Sequence, residues 1–303
     1  MTPLRHVSPF DPSYPSRLRS LARPPDSLTV RGGDLEAPRT VAIVGSRQAS
    51  GEAVDFSRRL AAALVRSGAV VVSGGAIGID AAAHRGALDE GGRTWAVAGT
   101  GCDHCFPPAH ASLFDAIGSG PGAMVWPFAP SSAARPGGFI LRNRVLVALS
   151  DAVVVAQAGP RSGALRAADC ARRQRKPLWV VPASPWSSGF EGSRMLLDQG
   201  VRPLADVEAF MKTLELDTRL RPTSTAAEPP GGATMDPIQS AVLCATSSVP
   251  IHLDEIAEKA HVPVQVAAAA LLTLALEAVV VEDPPGSFRR TTTLQSLKTT
   301  KKS

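Results

Sequence analysis

Six short apolar runs, most of them β-branched, punctuate the chain between Thr40 and Val181: Val41–Val44, Ala69–Val72, Thr94–Ala98, Ala123–Trp126, Ala152–Val155 and Leu178–Val181. They are apolar at nearly every position instead of at alternate ones. A strand needs that composition when helices cover both of its faces. Between the runs lie alanine-rich stretches, and Val54 to Ser67 repeats apolar residues at helical spacing (Val54, Leu60, Ala61, Leu64), with Ala81 to Asp89 and Arg161 to Arg175 less regular. Strands alternating with helices predict an α/β fold, a doubly wound parallel sheet with crossover helices, over residues 39–215.

The flanks read differently. Residues 1–38 are rich in proline and arginine without a sustained period, apart from a short helical turn over Tyr14 to Leu21, and form a lead-in. Residues 216–234 carry Pro, Gly, Ser and Thr in a density that supports no core, so they read as a linker. Past it, Ile238–Ala245, Leu253–Ala260 and Val264–Glu277 predict three helices, followed by a strand at Val279–Val281 and a turn at Pro284–Gly286. Three helices and a β wing make a small C-terminal winged-helix domain over 235–288, with a basic tail at 289–303.

The formal charge is +5 and the pI about 9.3, which favours a polyanionic partner. Its distribution says more. From Met235 to Ser287 seven carboxylates stand against the single Lys259, so the winged helix is acidic and the positive surface belongs to the large domain. Duplex binding gains chiefly from neutralised phosphates, so the winged helix is expected to serve protein contact or regulation. No apolar run approaches the roughly 18–20 residues of a membrane helix, and the first residues lack an apolar leader core. A cytoplasmic protein with reduced thiols at Cys102, Cys105, Cys170 and Cys244 is expected.

Three strand ends run into small-residue loops that open helices: Val44-Gly45-Ser46-Arg47-Gln48, Ser73-Gly74-Gly75-Ala76-Ile77-Gly78, and Gly159-Pro160-Arg161-Ser162-Gly163. Backbone amides there can approach a phosphate, and a helix N-terminus adds partial positive charge. Neither the G-x-G-x-x-G spacing of dinucleotide sites nor the G-x-x-x-x-G-K-[ST] of triphosphate loops occurs, so no nucleotide cofactor is expected. Loops on one edge of a doubly wound sheet converge at its switch point, which favours a phosphate-bearing ligand. Phe139 to Arg144 precedes an apolar helix at Val145–Leu149 and leaves two readings open: arginines and a ring that grip a nucleic acid, or braces for the fold. Cys102-Asp103-His104-Cys105 has metal-like spacing but no second such pair, so no metal is expected. No Ser/His/Asp set or carboxylate pair is apparent. Asp80 reads as a helix cap and His84 as a structural or phosphate-side residue.

Taken in order, Val44–Arg47, Ser73–His84, Phe139–Arg144 and Ser162–Leu165 resemble the DNA-processing protein A family, DprA or Smf. The resemblance runs from about Tyr14 through the linker, and the acidic C-terminal piece looks like the winged helix many members carry. It implies an extended Rossmann-like fold and a non-enzymatic protein that binds single-stranded DNA, dimerises and loads the RecA recombinase during natural transformation. Carried onto this chain, the DNA site comprises Ser46, Arg47, Ser73, Gly74, Gly75, Gly78, Phe139, Arg142, Asn143 and Arg144, with Arg135 and Arg161 as additions. Departures are Ile77 where the family usually has arginine, Ile140 where it tends to have proline, and Val125-Trp126-Pro127 where it tends to have Ser-Glu-aromatic-Pro. A contrasting reading is a Rossmann-like nucleotide phosphoribohydrolase of the lysine-decarboxylase-like type. Such enzymes carry Pro-Gly-Gly-x-Gly-Thr-x-x-Glu, whereas the matching stretch from Gly159 to Arg166 lacks the glutamate.

Overall fold

Burial on both faces decides the middle of the sheet. In the computed structural model, which describes residues 2–184, 186–216, 237–247, 249–276, 279–282, 284 and 286–290, the chain divides into two units, 1–224 and 225–303. The expected linker beyond Leu216 and the tail beyond Arg290 lie outside the described residues.

The first unit opens with β1 (Leu4–Val7), α1 (Ser16–Arg19) and β2 (Leu28–Gly32). The alternating part follows: β3 (Thr40–Gly45), α2 (Gly51–Arg66), β4 (Val70–Ser73), α3 (Ile79–Asp89), β5 (Thr94–Val97), α4 (Ala111–Ser119), β6 (Ala123–Trp126), α5 (Pro136–Ala148), β7 (Ala152–Gln157), α6 (Gly163–Arg173), β8 (Leu178–Val180), α7 (Glu191–Asp198), β9 (Arg202–Pro203) and α8 (Val207–Leu216). One nine-stranded sheet has the order β1-β2-β6-β5-β4-β3-β7-β8-β9. From β6 to β9 every pairing is parallel. The order reverses between β3 and β7, where a doubly wound sheet opens a crevice beyond its strand ends.

Two findings differ from the sequence expectation. The stretch 1–38 is not a separate lead-in: β1 and β2 form an antiparallel hairpin, and β2 joins β6 antiparallel at the edge of the sheet. Tyr14, Leu18, Leu28 and Val30 enter the same core as Val153 and Leu146. The second difference is α5, which starts at Pro136 and so contains Phe139 to Arg144 within its turns. Proline at the first helical position tolerates its missing N–H, and the two following glycines disguise the helix in the sequence.

The second unit contains α9 (Pro237–Ala245), β10 (Ile251–His252), α10 (Leu253–Lys259), α11 (Val264–Leu276), β11 (Val280–Glu282) and β12 (Ser287–Arg290). A three-stranded sheet, β10-β12-β11, flanks a core of Val242, Ile256, Leu271 and Leu274. This is a winged helix whose wing reaches into the expected tail. Arg290 lies in β12 and donates from Nε to Thr246 Oγ1 at 3.1 Å and from Nη2 to the Leu243 carbonyl. Helix α11 carries no charged residue.

Candidate nucleic-acid interface

At the switch point the loops after β3 and β7 are tied to each other. Ser46 N donates to the Gln157 carbonyl at 2.8 Å, and Ser50 N donates to Gln157 Oε1 at 2.9 Å. The loop after β4 closes against them through Ile79 N to the Ser46 carbonyl at 3.2 Å. That approach fixes Gly78: its φ is +85°, and a Cβ there would lie 2.3 Å from the Ser46 carbonyl oxygen.

These loops and α5 enclose an open cleft of about 600 Å³. Helix geometry explains which α5 residues reach it. Phe139, Arg142, Asn143 and Leu146 are spaced i, i+3, i+4 and i+7, share one face, and all line the cleft. Arg144 falls on another face. Its Nη2 donates to the Arg23 carbonyl, and burial holds its guanidinium pKa below the usual value.

The remaining candidates separate by position. Ser46, Arg47, Phe139, Arg142, Asn143 and Arg161 line the cleft together. Ser73, Arg135 and Arg144 do not. Ser73 is fully buried, with Oγ donating to the Ile43 carbonyl at 2.6 Å, so it ties β4 to β3. Arg135 is exposed at the N-cap of α5, outside the lining. Gly74, Gly75 and Gly78 act by leaving room: a Cβ on Gly74 would lie 2.0 Å from Arg142 Nη1, and one on Gly75 would meet the Phe114 ring at 2.6 Å. Arg166, on the first turn of α6, lines the cleft too and escaped the sequence reading. Its placement three residues after Gly163 was the available clue.

Arg142 forms the floor and differs in kind from the other arginines. It is 5% exposed, and Nη1 donates to the Gly74 carbonyl at 2.5 Å and to the Val97 carbonyl. Burial lowers its pKa while Asp80 opposes that shift. Burial in turn raises the Asp80 carboxyl, against the attraction of Arg142 and a bond from Ala76 N at 3.3 Å. Among the described residues Asp80 is the one carboxylate in the lining. Asn143 is held by Nδ2 donating to the Gly163 carbonyl at 3.3 Å. Arg142 and Asn143 brace the cleft as well as line it.

The rim is where charge is free. Arg47, Arg161 and Arg166 are exposed, and among the described residues none of them carries an ion pair. Arg47 lies over Phe139, 5.3 Å from guanidinium carbon to ring centroid, within cation–π range. Ile77, on the loop after β4, is 52% exposed. No group of three or more metal-ligating side chains exists among the described residues.

Residues 5–215 match the family model described as DNA recombination-mediator protein A, and residues 221–286 match the DprA winged helix domain. The chain belongs to the DprA/Smf family. Protein Smf of Synechocystis is 31% identical over 322 residues, covering 94% of this chain and 79% of that one. Among solved structures, DNA processing protein A of Helicobacter pylori, whose structure concerns its single-stranded DNA binding mode, superposes with a TM-score of 0.63 at 28% identity over 70% of this chain and 95% of that one. DprA of Streptococcus pneumoniae gives a TM-score of 0.64 at 31% identity, over 69% and 74% respectively. Membership of the DprA/Smf family makes this a non-catalytic DNA-binding and DNA-processing protein, which sets aside the phosphoribohydrolase reading. No helix among the described residues is long and apolar enough to cross a membrane.

Proposed function

We propose that the cleft grips the sugar-phosphate backbone of single-stranded DNA without sequence preference, and that the chain passes the strand to the RecA recombinase during natural transformation. One observation carries the proposal. Three arginines with no ion pair among the described residues rim a cleft formed where the two halves of the sheet diverge, beside the first turn of α6 and an aromatic ring. Arginine forks suit phosphate oxygens, and a ring face accepts any base, so the site favours a polymer over a single nucleotide sequence. Delivery to RecA, a homodimeric state and cytoplasmic residence belong to the same proposal and rest on kinship. The uncharged α11 and the acidic winged helix suit a protein partner better than duplex phosphates.

Arg47→Glu tests the cleft. It reverses an exposed charge and leaves the core alone, so retention of a single-stranded oligonucleotide in a low-salt gel should disappear while the melting temperature stays nearly constant. Undiminished retention would discard the interface.

A further inference from the structure

A second cavity, of about 240 Å³, opens near the carboxyl ends of β5 and β6. Its apolar walls include Phe106, Phe114, Met124 and Trp126, with Thr100 and Arg31 among the polar groups. Phe106 is the link to the cleft. It is 40% exposed, and its ring centroid lies 5.5 Å from that of Phe139, which has Arg47 over it. A guanidinium and two aromatic rings therefore run in sequence from the cleft rim to the cavity wall.

We propose that this cavity is a nucleobase subsite, filled by a base of the strand whose backbone lies in the cleft and which stacks on Phe106. The inference rests on the cleft being a single-stranded DNA interface. Charge excludes a phosphate as the occupant: Arg31 is neutralised by Asp115 at 2.8 Å and also donates to the Phe114 carbonyl at 3.1 Å. Size points the same way, because the volume falls below the roughly 300–1,000 Å³ of pockets for drug-sized ligands and suits one planar ring system. Thr100 already donates to the His104 carbonyl at 2.9 Å, and a His104 ring nitrogen lies 3.1 Å from the Ser131 carbonyl. With Thr100 and Arg31 Nη2 so engaged, and Arg31 Nε buried without a partner, the cavity holds a base chiefly by its ring face and discriminates weakly among bases.

Two measurements on the full chain test this. In the first, Phe106→Ala is titrated with an oligothymidylate and with an abasic sugar-phosphate oligomer of equal length. Affinity for the oligothymidylate should fall about tenfold, a typical stacking loss, and affinity for the abasic oligomer should not change. Equal losses on both would mean that Phe106 only supports Phe139, and would overturn the subsite. The second uses wild-type protein: Cys105 lines the cavity and is exposed, whereas exposed Cys244 sits in the other unit. Oligothymidylate should slow alkylation of Cys105 several-fold relative to Cys244, and the abasic oligomer should not. Unslowed alkylation of Cys105 under saturating oligothymidylate also overturns the subsite. If wild type holds both oligomers, Arg47→Glu releases both and Phe106 proves indifferent, the subsite fails while the cleft stands. If Arg47→Glu releases neither, the cleft itself is wrong.

Discussion

Replacing the rim arginines one at a time with alanine should change the salt dependence of DNA binding by a calculable step. Arg47, Arg161 and Arg166 are the exposed cations of the cleft, whereas Arg142 is committed to the Gly74 and Val97 carbonyls. Each phosphate neutralised on a single strand contributes about −0.7 to the slope of log affinity against log salt. Three contacts give a slope of about −2.1, so a fourfold rise in salt, from about 50 to 200 mM, weakens wild type about 18-fold. Any one alanine variant should show a slope near −1.4 and a loss of about sevenfold over the same range. Arg47→Ala should also lose the ring contact with Phe139, about 0.5–1 kcal/mol at an exposed site, a cost to the fold that leaves the slope untouched. Fluorescence anisotropy with a short labelled oligonucleotide at four or more salt concentrations resolves these slopes. A wild-type slope near zero, or single variants that keep the wild-type slope, would refute the assignment of the rim arginines to phosphates.

Three further outcomes follow from the burial of particular groups. Arg142→Leu should destabilise the first unit by about 3–5 kcal/mol, because it strands the buried Asp80 carboxylate and two carbonyls; calorimetry should show a drop of roughly 6–15 °C. His84 is fully buried, and burial pushes its pKa down to about 3 from an ordinary 6.5. The unfolded chain takes up that proton first as pH falls, so stability on the order of 5 kcal/mol should be lost between pH 6.5 and 3, and His84→Gln should flatten that acid limb in urea titrations. Deleting residues 235–290 should leave the single-strand salt slope unchanged, since none of that unit's described residues lines the cleft; a shallower slope on anisotropy would contradict this.

Much of this fold was legible because its central strands are buried on both faces, so Val41–Val44 and Ala152–Val155 announce themselves by composition. β1 did not. Leu4-Arg5-His6-Val7 is an edge strand with three of its four residues exposed, and it presents no continuous apolar run. The candidate site was legible as far as its loops, since three small-residue loops that open helices follow strand ends of one sheet. Its side-chain roles were less so, because they depend on the register of α5. Once Pro136 starts that helix, Arg142 and Arg144 point to different faces, and two arginines of like sequence context acquire unlike duties. His84 shows a second limit. Its Nδ1 lies 2.7 Å from Thr94 Oγ1, whose own proton goes to the Val71 carbonyl, and that internal pairing between α3 and β5 leaves no local trace in the sequence.

The double attachment of Arg142 has a consequence for divergence among relatives. A residue that both floors the cleft and knits α5 to β4 and β5 is constrained, because a change meant to tune grip also destabilises the scaffold. Adjustment of grip is freer on the perimeter, at exposed positions such as 47, 161 and 166, where a swap leaves the core alone.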